Sequence, residues 1–185
     1  MQFNNQKKTF LAKLDKSKKG SIDKEIAHLV KKINSSERYY TTSSCSGRVV
    51  LIEKKSEKKQ ECRWLFVSHK KIALKEIKNA LKKISEHPVW FRFEPLILHV
   101  AARTIEDAQI LVSKAREAGF KRTGIQSTKN KIIVEIASTE VIDAIIADKG
   151  KLLIDEDYLN VLVDEANKKS EKNNKKIKRL FTALP

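Results

Sequence analysis

The 185-residue sequence has little that bends or cross-links a chain: five glycines, three prolines and two cysteines. The glycines are scattered, so the Gly-x-Gly-x-x-Gly turn of a Rossmann-type cofactor fold is absent, as are a Gly-rich phosphate loop and a nucleophile elbow. Cys45 and Cys62 come without clustered histidines, so no zinc site, and no metal, is expected. In a lysine-rich chain without a signal-like apolar leader they point to a reducing, cytoplasmic setting. No stretch approaches the roughly 18 consecutive apolar residues of a membrane span. Acidic residues are in short supply too: 39 Lys and Arg face 23 Asp and Glu, leaving a net charge of +16. A surface laced with ion pairs accounts for many charges but not for such an excess of one sign. The balance points to a polyanionic partner, nucleic acid ahead of a membrane surface.

What is present suits one domain with a real core, since 41% of residues are hydrophobic. Phe10, Leu11 and Leu14 share a stripe on a basic helix over 3–18, and a break over 15–23 follows. Ser21 or Asp23 is placed to cap the next helix, where Ile22, Ile26, Leu29, Val30 and Ile33 recur at helical spacing. Arg48–Lys54 and Cys62–Ser68 read as strands joined by a charged turn. Ile72, Ala73, Ile77, Leu81 and Ile84 give a helix with lysines outward, stopped at His87-Pro88. Val89–Ala102 is the most apolar strand candidate, with a bulge or an edge expected at Pro95. Thr104 to Asp107 resembles a capping box, and Gly119 is a natural helix stop. A second hairpin spans Phe120–Ser127 and Lys131–Ala137. A short helix over 141–146, a strand over 152–154 and a helix over 156–169 complete the reading.

This order suggests an α+β fold made of two related α-β-β-α halves, with a mixed or antiparallel sheet and outer helices, not Rossmann-like. Residues 1–170 are read as a single, internally duplicated catalytic domain and 171–185 as a basic C-terminal tail. The chain is organised around Ser43-Ser44-Cys45-Ser46-Gly47-Arg48, a polar turn entering the first strand. Its glycine permits close backbone approach, and its arginine offers a planar fork for phosphate or carboxylate. Arg48, His69, Glu94, His99 and Arg103 make up the candidate polar cluster. Two other readings stand beside a catalytic one: an RNA-binding module without catalysis, and a cysteine hydrolase centred on Cys45.

Several ordered blocks carry a family resemblance. They are Asp15-x3-Lys19-Gly20-Ser21-x-Asp23, the Tyr39 to Arg48 run, Trp64-x3-Ser68-His69, Phe91-x-Phe93-Glu94-Pro95-x-Ile97-Leu98-His99-Val100, Arg103-Thr104-x3-Ala108 and Gly119-Phe120-x2-Thr123-Gly124-Ile125. Together they resemble the tRNA wybutosine-synthesising protein 3 family in its compact archaeal form. Thr123 stands where that family usually has Ser, and Ala101-Ala102 replace bulkier or polar residues. The resemblance implies an S-adenosylmethionine-dependent methyltransferase. Its target would be ring nitrogen N4 of 7-(3-amino-3-carboxypropyl)-4-demethylwyosine at position 37 of phenylalanine tRNA.

On that implication the roles divide as follows. His69 and His99 are candidate bases, with Glu94 a weaker one, and Arg48 or Arg103 is a carboxylate clamp. Ser44, Cys45, Ser46, Gly47, Arg103, Thr123 and Gly124 would line the cofactor. Tyr39, Tyr40, Trp64 and Trp90 are candidates to stack on the target base. Basic residues at both ends would hold the anticodon stem-loop of the tRNA by its phosphates.

Overall fold

The apolar pattern sorts into two cores, and each gathers residues far apart in sequence. The computed structural model describes residues 2–12, 22–56 and 61–185. The chain forms two compact units, neither of them a continuous stretch.

The first unit comprises Met1–Ser46, Leu96–Thr139 and Asn174–Pro185. It contains α1 (Gln2–Leu11), α2 (Ala27–Ser35), the first half of β1 (Tyr39–Lys54) and the second half of β3 (Val89–Ala102). It also holds α4 (Ile105–Glu117), β4 (Gly124–Ser127), β5 (Ile132–Ala137) and the end of α5 (Glu156–Ala183). Its strands lie in the order β1-β3-β5-β4. Leu29, Val30 and Ile33 of α2 pack with Leu98 and Val100 of β3, Leu111 and Ala115 of α4, and Val134 and Ile136 of β5. Each of the Val, Leu and Ile side chains stabilises the fold by about 1.5–3 kcal/mol. α4 starts as its sequence anticipates: the Thr104 hydroxyl accepts the Asp107 N–H at 3.1 Å. Gly119, just past its end, has φ +109°, which suits a residue without a Cβ.

The second unit comprises Gly47–Pro95 and Glu140–Asn173. Here the rest of β1 pairs antiparallel with β2 (Cys62–Ser68), and the first half of β3 pairs antiparallel with β6 (Ile142–Asp148). β7 (Lys151–Leu152) pairs antiparallel with the end of β6, and α3 (Leu74–Leu81) follows β2. Val49, Leu51, Ile77, Leu81, Val89, Phe91, Phe93, Ile146, Leu159 and Val163 form its core. The α+β class and the antiparallel sheet are as the sequence suggests.

Three local expectations are corrected. The segment 141–146 is not a helix but the start of β6, with Ile142 opposite Phe93 and Ala144 opposite Phe91. A helix this short has no stability of its own, and its β-branched residues gain more from the ladder. The second α-β-β unit therefore closes on a strand, and the expected duplication is incomplete. Residues 171–183 are not a tail but the last turns of α5, because Asn173, Ile177 and Leu180 bury one stripe of it. The Ser43–Arg48 run is not a turn either: β1 passes through it unbroken from Tyr39 to Lys54. At Pro95, where a bulge or an edge is expected, the partner on one side changes: β3 pairs with β6 up to Phe93 and with β5 from Ile97. Pro95 falls between the two ladders, where its missing N–H leaves no bond in either unmade. Leu14, the block from Asp15 to Ser21 and part of the turn after β1 lie outside the described residues.

Candidate functional site

In the second unit the centre of interest is the stretch of β1 just after Ser46. Gly47 sits at φ +100°, and a Cβ there would come within 3.0 Å of the Glu94 carbonyl oxygen and the Pro95 carbonyl carbon. Only glycine allows β1 this close to β3. The Gly47 carbonyl accepts a hydrogen bond from His69 Nδ1 at 2.9 Å. A carbonyl can only accept, so the proton is on Nδ1, and a neutral His69 carries its basic lone pair on Nε2.

Arg48 follows directly. Its Nε bonds Glu94 Oε2 at 2.7 Å, and its guanidinium lies 4.4 Å from the Trp64 ring centroid. A carboxylate in the plane and an indole against the face fix the fork without hiding it, since the Arg48 side chain keeps 28% of its exposure. Arg92 joins the group, bonding Asp143 at 2.7 Å and approaching Glu94 at 4.0 Å. Arg48, His69, Glu94 and Gly47 therefore do come together. Glu94 serves as the anchor of Arg48, which leaves it a poor candidate for a base.

In the first unit the assembly centres on His99. Its Nε2 lies 3.0 Å from Glu135 Oε2 and its Nδ1 lies 2.7 Å from Ser43 Oγ. The two residues are direct partners in the β3–β5 ladder. Asp23 is the other carboxylate of interest here. It precedes the 3-10 turn Lys24–Ile26 but makes no side-chain cap there. Instead its Oδ2 accepts the Ser46 N–H at 2.8 Å, tying the segment before α2 to the serine-rich part of β1.

Among the other expected cofactor residues, Gly124 is in register with Glu135, which pairs with His99. Arg103 is committed to the fold: its guanidinium donates to the Glu37 carbonyl at 2.8 Å and to Asn4 Oδ1 at 2.9 Å. Thr123 is buried, with its hydroxyl donating to the Phe120 carbonyl at 2.7 Å. Gly124 opens β4, with open space where a Cβ would stand. Ser46 is buried, whereas Ser44 and Cys45 are half-buried. Both cysteines are thiols.

Two of the candidate stacking aromatics are core residues. Tyr39 and Tyr40 are 3% and 0% exposed. Tyr39 donates to the Asp107 carbonyl at 2.8 Å, and Tyr40 packs against Phe3 and Phe10. Burial pushes both phenols above their ordinary value, with Asp107 adding to the effect at Tyr39. Trp64 and Trp90 remain accessible in part, each beneath a cation: Arg48 on Trp64, and Lys54 at 4.6 Å on Trp90.

Glu135 and Gln126 are functional residues that the sequence reading does not single out, and Ser43 stands in its central motif without a role of its own. The signal for Glu135 was there, a single carboxylate inside Ile132-Ile133-Val134-Glu135-Ile136. Its pairing with His99 depends on a long-range register that no local pattern encodes.

Comparison with known proteins is consistent across sequence and structure. A family model described as Methyltransferase TYW3 matches residues 5–185. A Danio rerio protein named tRNA wybutosine-synthesizing protein 3 homolog is 42% identical over 187 residues, covering 98% of this chain and 74% of the relative. A Pyrococcus horikoshii protein is 42% identical over 169 residues, covering 90% of this chain and 86% of its own. That relative is named tRNA(Phe) 7-((3-amino-3-carboxypropyl)-4-demethylwyosine(37)-N(4))-methyltransferase 1. The solved structure of the PH1069 protein from Pyrococcus horikoshii superposes with a TM-score of 0.93 at 41% identity, over 99% of this chain and 96% of that one.

Proposed function

The chain belongs to the TYW3 methyltransferase family, and from that premise we propose that it methylates N4 of 7-(3-amino-3-carboxypropyl)-4-demethylwyosine at position 37 of phenylalanine tRNA. The observation that carries this reading is the 42% identity, over 90% of the chain, to the archaeal enzyme named for that reaction. The methyl donor is S-adenosylmethionine, whose sulfonium supplies the electrophilic carbon.

Arg48 suits a carboxylate, either that of the methionyl group or that of the aminocarboxypropyl arm of the base. Its fork is oriented beforehand by Glu94 and Trp64, so less conformational entropy is lost on binding. Methyl transfer from sulfur to nitrogen also requires an acceptor for the ring proton. His69 and His99 both present an imidazole whose proton is placed by a neighbour. A base modified within a loop must leave its stack, and of the four expected stacking residues Trp64 and Trp90 are the two within reach of solvent. Lys168, Lys172, Lys175, Lys178 and Arg179 on the exposed side of α5 supply phosphate contacts to the anticodon stem-loop.

The test is methyl incorporation into tRNA from cells lacking this gene, using labelled S-adenosylmethionine, followed by nucleoside analysis. Label in a tricyclic nucleoside is expected. Salt-sensitive tRNA binding without label would replace the enzyme with a non-catalytic anticodon-loop binder.

A further inference from the structure

Across the first unit, four side chains from four neighbouring strands form one hydrogen-bonded line. Ser43 on β1 meets His99 on β3 at 2.7 Å, His99 meets Glu135 on β5 at 3.0 Å, and Glu135 Oε1 accepts from Gln126 Nε2 on β4 at 3.1 Å. This follows the strand order β1-β3-β5-β4. Gln126 reaches Glu135 because the β4–β5 register slips between Ile125 and Ser127, a bulge of the kind that re-aims a side chain. Polarity fixes the direction of the line. An ionised carboxylate only accepts, so His99 Nε2 carries the proton, and its Nδ1 lone pair then accepts from the Ser43 hydroxyl. Ser43 itself is exposed, and its hydroxyl oxygen, while donating to His99, can still accept a proton or hydrogen bond.

We propose that this line is a proton relay whose outer end is Ser43, that His99 is the group holding the released proton, and that Glu135 is the positioning residue that sets its tautomer. The proposal rests on the methyltransferase reading and assigns its base. As the ring nitrogen lone pair forms the bond to the methyl carbon, the carbon–sulfur bonding pair returns to sulfur, giving a neutral thioether. The ring N–H proton passes to Ser43 Oγ while the Ser43 hydroxyl proton passes to His99 Nδ1. The imidazolium that results lies beside the Glu135 carboxylate, which favours it electrostatically.

The experiment uses the full chain with 15N-labelled histidine, reading the His99 tautomer from its imidazole spectrum and the rate of methyl transfer to precursor tRNA in a single turnover. Expected are the Nε2–H tautomer in the wild type and its loss in Glu135→Leu, with transfer slowed about 10- to 100-fold. Ser43→Ala is expected to keep the tautomer yet slow transfer by about tenfold or more, a separation that a merely structural contact would not produce. If leucine at 135 prevents folding, Glu135→Gln carries the test, because it keeps the shape and removes the charge. An Nδ1–H tautomer in the wild type, or variants within about twofold of the wild-type rate, overturns the relay alone. A wild type that labels no tricyclic nucleoside overturns the activity and the relay's part in it together.

Discussion

Replacing Gly47 by Ala tests the close approach of β1 to β3 at its tightest point. Two penalties are incurred. An L-residue at φ +100° is disfavoured by about 1–2 kcal/mol. The new methyl would also stand 3.0 Å from Glu94 O and Pro95 C and 3.1 Å from Asn173 Nδ2. Two of these neighbours are backbone and can yield only by moving a strand, which overpacking data put at about 1–3 kcal/mol. The expected loss is therefore about 2–5 kcal/mol. For a chain of this length each kcal/mol lowers the melting temperature by about 2–4 °C, so calorimetry should show a fall of roughly 4–20 °C. Gly124→Ala is the internal control: with nothing within 4 Å of its added Cβ, it should melt within about 2 °C of the wild type. A Gly47→Ala protein that melts as the wild type does would refute the argument, since neither the backbone conformation nor the contact could then be as described. The Gly47 carbonyl also receives His69 Nδ1, so the same substitution should disturb the His69 imidazole spectrum.

Arg48→Lys keeps the charge but loses the planar fork and the stacking on Trp64; kcat/KM for methyl transfer should fall by about tenfold or more, and an unchanged value would remove Arg48 from the site. Glu53, nearly buried, is opposed by desolvation, but the Ser85 N–H at 2.6 Å, Arg63 Nε at 2.8 Å and the Ser85 hydroxyl outweigh it and hold its carboxyl below the ordinary glutamate value. Its stabilising contribution is present above the unfolded-state pKa and lost as pH falls through the lower folded one. Melting curves from about pH 7 to pH 3 should therefore show a flatter acid limb in Glu53→Gln than in the wild type, and parallel limbs would contradict the assignment. Filter binding of tRNA should weaken roughly 300-fold between about 50 and 200 mM salt if about six phosphates are neutralised; a salt-independent affinity would rule out the electrostatic footprint.

Local chemistry was the legible part of this sequence. The Thr104 cap, the Gly119 stop, the strand after Arg48 and the buried stripe of α2 are all set by neighbours within a few residues. The misread stretches are those decided by distant partners. Residues 141–146 have apolar spacing compatible with a helix, and only the ladder beside Phe91 and Phe93 makes them a strand. Lys172 to Arg179 looks like a solvated tail until Asn173, Ile177 and Leu180 are seen to be buried. The site divides in the same way. Arg48, His69 and Glu94 are legible as a group because each stands in a chemically distinctive block of the sequence. Arg103 and Thr123 share that distinctiveness, yet their donors are committed within the fold, Thr123 to the Phe120 carbonyl and Arg103 to the Glu37 carbonyl and Asn4, a use no side-chain inventory reveals. Glu135 escaped notice because its meaning lies wholly in the residue across the ladder.

The interleaving of the chain has a consequence for biosynthesis. The first unit needs Met1–Ser46, Leu96–Thr139 and Asn174–Pro185 together, so its core cannot close until Ile177 and Leu180 have been made. A ribosome emitting this chain has no finished module to release early, and domain-by-domain maturation during synthesis is ruled out for the first unit. Its α2 helix, with Ile26, Leu29, Val30 and Ile33 awaiting partners about 65 to 150 positions downstream, must be kept from wrong partners through most of translation.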